Sequence, residues 1–448
     1  MIGNLSLSLY SNYKTLVVNA DELCLKGRNR DAFWNKLDMH VRSVLKVHQL
    51  DEVINDEDER LPPKSKYKCH RDDLRYIIDV FDESYFKRET LDALTKIPGI
   101  HSIMLARKTP LDFSKLTEAV FAEMDLLREN NTLPKTFKVK TKRSYKQFSM
   151  DSNEISREIG HLVLERYNQD RNENQNENQS ESQNEYRIIK VDVHNPELVI
   201  TIKVLSGGIY CSTQRLPGVG GLPVGVSGKI LTLLSGGFDS PVASYLMFKR
   251  GIEQNYIFFH AYPFVGNEVV DKVIEIVKKL APYQTKNILY VVPFGEVQSY
   301  IAQKCRPDYR TMLFRQYMIE CATLLAKQIG AEALLTGDSI GQVASQTLSN
   351  LSLIDSSSEM SIFRPLIGLN KLEIINLARK IGTHDVSIIA QDDACSLLAD
   401  IHPVTKPHRG HWNDFRAKNN LSDKLLECLS KSKVLKVDWR GKVVEIRN

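Results

Sequence analysis

The chain has 448 residues, 42% of them apolar, and a formal net charge of +5; that length and composition suit about two to four ordinary buried cores and exclude a disordered or collagen-like chain, and so small a charge means any nucleic-acid contact must come from a local patch. Met1 to Tyr10 lacks the basic start and long apolar core of a signal peptide and no stretch of about 18 apolar residues follows, so a cytoplasmic protein with no membrane partner is expected. Seven scattered cysteines with no C-x-x-C pair argue against a disulfide framework and against a closed zinc or iron–sulfur site, and no metal ligands are read from them.

In chain order, Lys14 to Ala20 reads as a strand and Asp31 to Val47 as a helix. The basic turn between them, with Lys26 and Arg28, suits a phosphate and equally suits a solvated loop. Residues 55–72, charged and Pro-containing, read as a loop, Leu74 to Val80 as a strand, and Lys87 to Leu94 as a helix before the Pro98-Gly99 turn. Short alternating elements of this kind point to a small α+β unit, ferredoxin-like in form. An amphipathic helix over 112–130 leads to Lys135 to Phe148, which carries six basic residues and no acid. A strand there puts Lys138, Lys140 and Lys142 on one face, with Arg143 and Lys146 adding charge and Tyr145 and Phe148 stacking surface. That mixture fits an RNA backbone with splayed bases, and it also fits an edge strand guarded by lysines.

Asp151 and Glu154 are spaced as a capping box for a helix through Ile155, Ile159 and Leu162. It gives way to 168–185, a run of Asn, Gln, Glu and Ser that reads as a disordered surface insertion. Tyr186 to Val193 and Leu198 to Leu205 then read as a hairpin around Asn195-Pro196, with a further strand near Ile209. Gly218 to Gly228 is a natural boundary.

Beyond it the pattern changes. Ile230 to Leu234 is an apolar run of strand length ending in Ser235-Gly236-Gly237-Phe238-Asp239-Ser240. Ser240 is placed to cap the next helix, Pro241 suits its first position and Gly251 its close. A strand, glycine loop and helix in that order aim backbone N–H groups and the positive end of a helix dipole at one spot, which stabilises a phosphate. The loop matches neither a Walker A nor a G-x-G-x-x-G pattern. Further strands at Asn255 to Phe259, Asn287 to Val292 and Ala333 to Leu335 alternate with helices at Glu268 to Leu280 and Met312 to Gln328. This alternation predicts a mainly parallel sheet, with ligands at the strands' carboxyl ends. The loop of 235–240, His260 to Pro263 and Thr336 to Gln346 therefore converge on one crevice.

The Ser-Gly-Gly-Phe-Asp-Ser loop resembles the PP-loop of ATP pyrophosphatases. Together with Gly221-Leu222-Pro223-Val224-Gly225, Gly337-Asp338-Ser339-Ile340-Gly341-Gln342, Arg364-Pro365-Leu366-Ile367-Gly368, Cys395-Ser396-Leu397 and His402-Pro403-Val404-Thr405, it resembles the tRNA 4-thiouridine synthetase family. The resemblance implies an α/β fold: a PP-loop, adenine nucleotide alpha hydrolase-like parallel-sheet domain over 226–410, after a ferredoxin-like domain over 1–85, a THUMP RNA-binding domain over 86–215 and a linker over 216–225. Residues 411–448 are left as a C-terminal extension.

The implied reaction is adenylation by ATP of O4 of the uridine at the eighth tRNA position, followed by displacement of AMP by sulfur. On this resemblance Leu234, Ser235, Gly236, Gly237, Phe238, Ser240, His260, Tyr262, Gly337, Asp338, Ser339, Gln342, Gln346 and Arg364 line the nucleotide site. Asp239, with Mg²⁺ or the phosphates, and Lys371 are the catalytic candidates, although an Asp at a helix start, an Asp338 cap and an Arg364–Lys371 surface pair are also chemically sensible. Cys395 is the residue implied to handle sulfur, and a buried inert thiol is its alternative. The sequence carries no rhodanese domain, so a cysteine desulfurase is the expected persulfide donor, with Cys305 a distant second acceptor. A homodimer is the family's expectation. A sulfur-relay scaffold without turnover and a different PP-loop tRNA modification are the rival readings.

Overall fold

The computed structural model describes residues 13–20, 22–23, 29–48, 67–72, 75–81, 86–173, 188–390 and 403–446. The chain divides into two compact units, one of residues 1–25, 41–95 and 100–220, the other of 26–40, 96–99 and 221–448.

The first unit holds β1 (Thr15–Asn19), the part of α1 (Arg30–His48) that follows His40, β2 (Tyr67–Asp72), β3 (Arg75–Val80) and α2 (Arg88–Thr95). It continues with β4 (Ser102–Thr109), α3 (Phe113–Glu129), β5 (Thr136–Arg143), α4 (Ser152–Glu173), β6 (Lys190–Val191), β7 (Leu198–Leu205) and β8 (Gly208–Pro217). One sheet runs β2-β3-β1-β4-β8-β7-β5-β6. It passes unbroken across residue 85, where the sequence places a boundary, because β4 pairs with β1 on one side and β8 on the other.

Helix α3 starts where the Asp112 carboxylate accepts from the Lys115 N–H. Helix α4 starts at a capping box in which Asp151 accepts from Asn153 and Glu154 while Glu154 accepts from Asp151. Their apolar rows, Leu116, Val120 and Met124 on α3 and Ile155, Ile159 and Val163 on α4, share a core with Phe137, Ile200 and Ile202.

Three expectations change here. Residues 67–72 are strand β2, hidden in the sequence because an edge strand carries few apolar residues and leaves Lys68 and Arg71 exposed, one on each face. Helix α4 runs on through Asn168 to Glu173, and the Asn168 amide exchanges two hydrogen bonds with the Ile189 backbone, so the polar run begins as ordered helix; 174–187 lie outside the described residues. The hairpin around Asn195-Pro196 does not form: β5 lies between β6 and β7, parallel to both, and Asp192 accepts from the backbone of His194 and Asn195 in the crossing turn.

The second unit holds β9 (Lys229–Leu233), α5 (Asp239–Phe248), β10 (Glu253–His260), α6 (Glu268–Leu280), β11 (Lys286–Pro293), α7 (Gly295–Lys304), α8 (Arg310–Gln328) and β12 (Ala333–Leu335). Then come α9 (Leu348–Asp355), β13 (Ile362–Phe363), α10 (Lys371–Ile381), α11 (His384–Ser387), α12 (Arg409–Lys418), α13 (Ser422–Ser430), β14 (Lys433–Asp438) and β15 (Val443–Glu445). The sheet order is β13-β12-β9-β10-β11-β14-β15, parallel from β13 through β11 as the alternation predicts. The tail beyond residue 410 is part of this unit: β14 extends the sheet antiparallel to β11, and Trp412 is 1% exposed in the same core as Leu231, Ile257, Leu334 and Phe314. Gly251 ends the α5 segment in the left-handed region at φ +76°, where a side chain would be strained. Among the described residues no helix is long and apolar enough to cross a membrane.

Candidate nucleotide site

Strand β9 carries the chain into the loop at Leu234, which is buried and whose N–H donates to the Ile257 carbonyl of β10. Ser235 and Gly237 are exposed at the loop's tip, and α5 begins at Asp239 with Pro241 in its first turn. Ser240 does not cap α5. Its buried hydroxyl accepts from the Ser235 N–H at 2.9 Å and lies 3.2 Å from the Ser235 hydroxyl, closing the neck of the loop instead. The cap position is Phe238, with no side-chain bond, so the end of the helix keeps its positive character for an anion.

The loop after β12 packs directly on this helix start. A Cβ at Gly337 would stand 2.6 Å from the Ser240 nitrogen and 2.7 Å from the Asp239 carbonyl carbon, both backbone, so the close approach needs glycine. From that loop Gln342 donates its side-chain amide to Asp239 Oδ2 at 3.2 Å. Burial raises the Asp239 carboxyl above its usual range and the nearby Asp338 charge adds to this, opposed by the Gln342 amide and the Lys371 ammonium.

Asp338 is the opposite case. It is 4% exposed, and although burial pushes its carboxyl up, Arg315, the Thr336 hydroxyl and Arg364 outweigh that and hold it below the usual range. Arg315 of α8 binds Oδ1 together with the Gln346 amide, and Oδ2 accepts from Thr336 at 2.8 Å and from Arg364 at 3.1 Å. Arg364 also binds Asp355 at 2.6 Å and its side chain is 10% exposed, so it is an arm of a buried clamp rather than a surface partner of Lys371. Asp338 accordingly ties β12, α8 and the chain after β13 together. Ser339 donates to the Leu369 carbonyl at 2.9 Å, which holds the turn into α10. Asn370 and Glu373 form the capping box there and expose Lys371 at the first helical position, while α10 packs on α5.

Of the predicted residues, the structure gathers 234–240, Gly337, Gln342 and Lys371 at one spot, with Asp338, Ser339, Gln346 and Arg364 behind them. His260 stands apart: its Nε2 lies 3.0 Å from both the Val265 and Gly266 carbonyls, so the ring donates inward to the loop after β10. Tyr262 is exposed and lines a cleft of about 380 Å³ with Asn267, Asp271, Lys431 and Lys433. Cys395, Lys26 and Arg28 lie outside the described residues. Burial raises the Cys305 thiol to about 11, which keeps it protonated and poorly nucleophilic at neutral pH. In the first unit, Val139 packs toward Gly160 and Thr141 accepts from Ser156, both of α4. Lys138, Lys140 and Lys142 therefore occupy the other face of β5, although Lys138 donates to the Val193 carbonyl and Arg143 to that of Phe148. Tyr145 is half-buried and donates to Gln147, and Lys146 is exposed beside it.

Arg315 was not legible as a site residue. Its one signal is a charge in the middle of a helix buried almost all round, between Phe314 and Gln316.

Comparison with known proteins accords with this geometry. The model of the Thiamine biosynthesis protein (ThiI) family matches residues 225–421 and that of the THUMP domain matches 112–214. A probable tRNA sulfurtransferase of Halothermothrix orenii is 36% identical over 95% of this chain and 99% of its own length. The chain belongs to the tRNA sulfurtransferase family. A second member, from Acetivibrio thermocellus, is 34% identical over 95% of the chain and 99% of its own. Among solved structures, a 4-thiouridine synthetase in complex with RNA and with bound ATP superposes with a TM-score of 0.79 at 29% identity, covering 97% of this chain and all of that one. The family's fold thus extends over the tail as well as over both units.

Proposed function

We propose that the protein is an ATP-dependent tRNA sulfurtransferase that converts the uridine at position 8 to 4-thiouridine. The observation that carries this reading is the glycine loop at the start of α5 with Asp239 on its lip, held by Gln342 from the neighbouring strand's loop. An anion at the loop meets backbone N–H groups and the helix dipole. ATP, bound with its phosphates there, is attacked at the α phosphorus by O4 of the uracil, pyrophosphate leaves, and the poor leaving group at C4 becomes the good leaving group AMP. A persulfide sulfur on Cys395, received from a cysteine desulfurase, then attacks C4 and expels AMP. A second thiol attacks Sγ of Cys395, forming a disulfide with it as the bond to the uracil-borne sulfur breaks and 4-thiouridine leaves, and an external thiol reductant returns that disulfide to two thiols.

Mg²⁺ fits the residues present. Asp239, whose carboxylate accepts one amide and is otherwise uncompensated by a direct ion pair, would hold the ion together with phosphate oxygens of ATP. Such an ion would supply charge neutralisation on the phosphates. Lys371, whose charge already reaches Asp239, adds a cation from the other side of the crevice. Lys138, Lys140, Lys142, Arg143, Tyr145 and Lys146, with Lys26 and Arg28, are assigned to the tRNA backbone, within a THUMP region preceded by a ferredoxin-like one. A cytoplasmic homodimer completes the reading.

The test supplies ATP, Mg²⁺, an unmodified tRNA transcript, a cysteine desulfurase and cysteine, and follows 4-thiouridine by its near-ultraviolet absorbance. Product is expected from the wild type and none from Asp239→Ala. Failure of the wild type, or undiminished product from the variant, overturns the assignment. Cys395→Ser should lose desulfurase-dependent thiolation and regain it with free sulfide.

A further inference from the structure

Helix α8 places Arg315 at the Asp338 clamp beyond the carboxyl end of β12, and past its last turn the Ile329 carbonyl accepts from Lys229 at the start of β9. Its first residue, Arg310, therefore stands on the crevice side of the sheet, about 7.5 Å further along the helix axis from Arg315. The segment before it, 304–309, meets the chain around the start of α12. The Val404 N–H donates to the Asp308 carbonyl at 3.0 Å, and the His408 N–H donates to the Tyr309 hydroxyl at 2.8 Å. That stretch is also fastened to the crevice wall, because Thr347, next to Gln346, donates its hydroxyl to the Thr405 carbonyl at 2.8 Å.

Two kinds of side chain meet on this face. Lys304, Lys406 and Arg409 are exposed, and among the described residues none of the three side chains has an ionic or hydrogen-bonding partner. Between them stand rings set edge to face: His408 and His411 have centroids 5.6 Å apart, and Tyr309 lies 5.8 Å from His411. Tyr309 is buried and both histidines are exposed, so an imidazole face is open to a ligand. Arg306, over the Tyr309 ring, is paired with Asp308 at 2.9 Å and so adds packing rather than free charge. Asp414, five residues on from Arg409, falls about 140° around α12 and away from it. A surface kept soluble intersperses both signs of charge, whereas this one sets unpaired cations around stackable rings, the chemistry of a nucleic-acid strand.

We propose that this face is a contact for the tRNA, with the phosphate backbone on Lys304, Lys406 and Arg409 and an unstacked base against the His411 ring. This rests on reading the protein as a tRNA-modifying enzyme. It gives the catalytic unit a hold of its own on the RNA, beside the crevice and separate from the basic strand β5.

Filter binding over a salt series tests it with an unmodified tRNA transcript. The proteins are the wild type, the triple variant Lys304→Ala, Lys406→Ala and Arg409→Ala, the single variant His411→Ala, and a control, Lys279→Ala with Lys286→Ala, exposed lysines away from the crevice. The triple variant should bind tRNA at least about tenfold more weakly and lower the slope of log affinity against log salt by about 2–3. His411→Ala should weaken binding about fivefold or more and keep the wild-type slope. ATP affinity should stay unchanged in all of them, and the control should match the wild type. Wild-type affinity and slope in the triple variant overturn the contact, as does an equal loss in the control. Intact tRNA binding with loss of desulfurase-dependent thiolation alone assigns the face to a protein partner and overturns it too. A wild type that binds no tRNA overturns the functional reading itself. Should the triple variant not fold, the wild type decides: bound tRNA should protect Lys304 and Lys406 from acetylation read by mass spectrometry, and unprotected lysines overturn the contact.

Discussion

Replacing Arg315 by Met keeps the stem packed in α8 but strips the guanidinium from Asp338, whose side chain is 6% exposed. The charge-assisted hydrogen bond to Oδ1 contributes about 1.5–3 kcal/mol. The full penalty of about 3–5 kcal/mol for orphaning a buried charge is not reached, because Arg364, Thr336 and Gln346 still hold the carboxylate. The expected loss is about 2–3 kcal/mol, or roughly 5–10 °C for a unit of this size. The wild-type carboxyl lies below its usual range, so its contribution is present above the ordinary carboxylate value and is lost as pH falls through the folded value. In the variant burial is less opposed and the folded value rises. Part of the lost stability should therefore return on acidification, the reverse of the wild-type trend. Urea titrations at neutral and mildly acidic pH read both effects, and Arg315→Met with Asp338→Asn should be more stable than Arg315→Met alone. A loss under about 1 kcal/mol at neutral pH, or a double variant no better than the single one, refutes the account of Asp338 as a buried charge dependent on its clamp.

Asp239→Asn should abolish thiolation yet raise the melting temperature at neutral pH, because burial raises the folded carboxyl's pKa and so penalises its ionised form; the gain should fade as pH falls and the wild-type group protonates. Gly337→Ala, forced against backbone at 2.6 Å, should lower kcat/KM for ATP at least about a hundredfold, and steady-state kinetics near wild-type values would disprove the close packing. The double change Lys140→Ala and Lys142→Ala should weaken tRNA binding and reduce the slope of log affinity against log salt by about 1–2, measured by filter binding, with ATP binding unchanged. Burial lowers His40 of α1 to about 4 from 6.5, so the unfolded chain takes up its proton first as pH falls; stability should drop by about 3 kcal/mol between these values, and His40→Gln should flatten that slope in acid unfolding curves.

The glycine loop was legible because its chemistry is local: small residues, a strand before them and a helix after them lie within a dozen neighbours along the chain. The parallel sheet was legible for a similar reason, each strand being an apolar run buried on both faces. What escaped depends on pairing across long separations. Strand β14 reads as an unremarkable Lys-Val-Leu-Lys-Val-Asp, and only its register with β11, about 150 residues earlier, makes it part of the catalytic unit. The misplaced hairpin has the same origin, since nothing within 186–205 tells that β5 will lie between its two strands. Arg315 escaped because one charge among the several on its helix carries no motif, and its partner is fixed by where the helix lies rather than by what precedes it.

The two carboxylates of the crevice show why such distant partners matter. Asp239, at the start of the helix after β9, and Asp338, in the loop after the adjacent parallel strand β12, are close enough that the Asp338 charge disfavours ionisation of Asp239. The fold resolves the conflict by surrounding one of them with cations: Arg315 and Arg364 neutralise Asp338 and fix it as structure. Asp239 receives one amide and the field of an exposed lysine, and is left with a charge only partly compensated. A carboxylate in that condition gains most from a cation or a phosphate-bound ion brought to it, whereas the satisfied one gains nothing. Pushing the two groups in opposite directions suits Asp338 to holding the loop in place and, on the function proposed above, Asp239 to meeting the substrate.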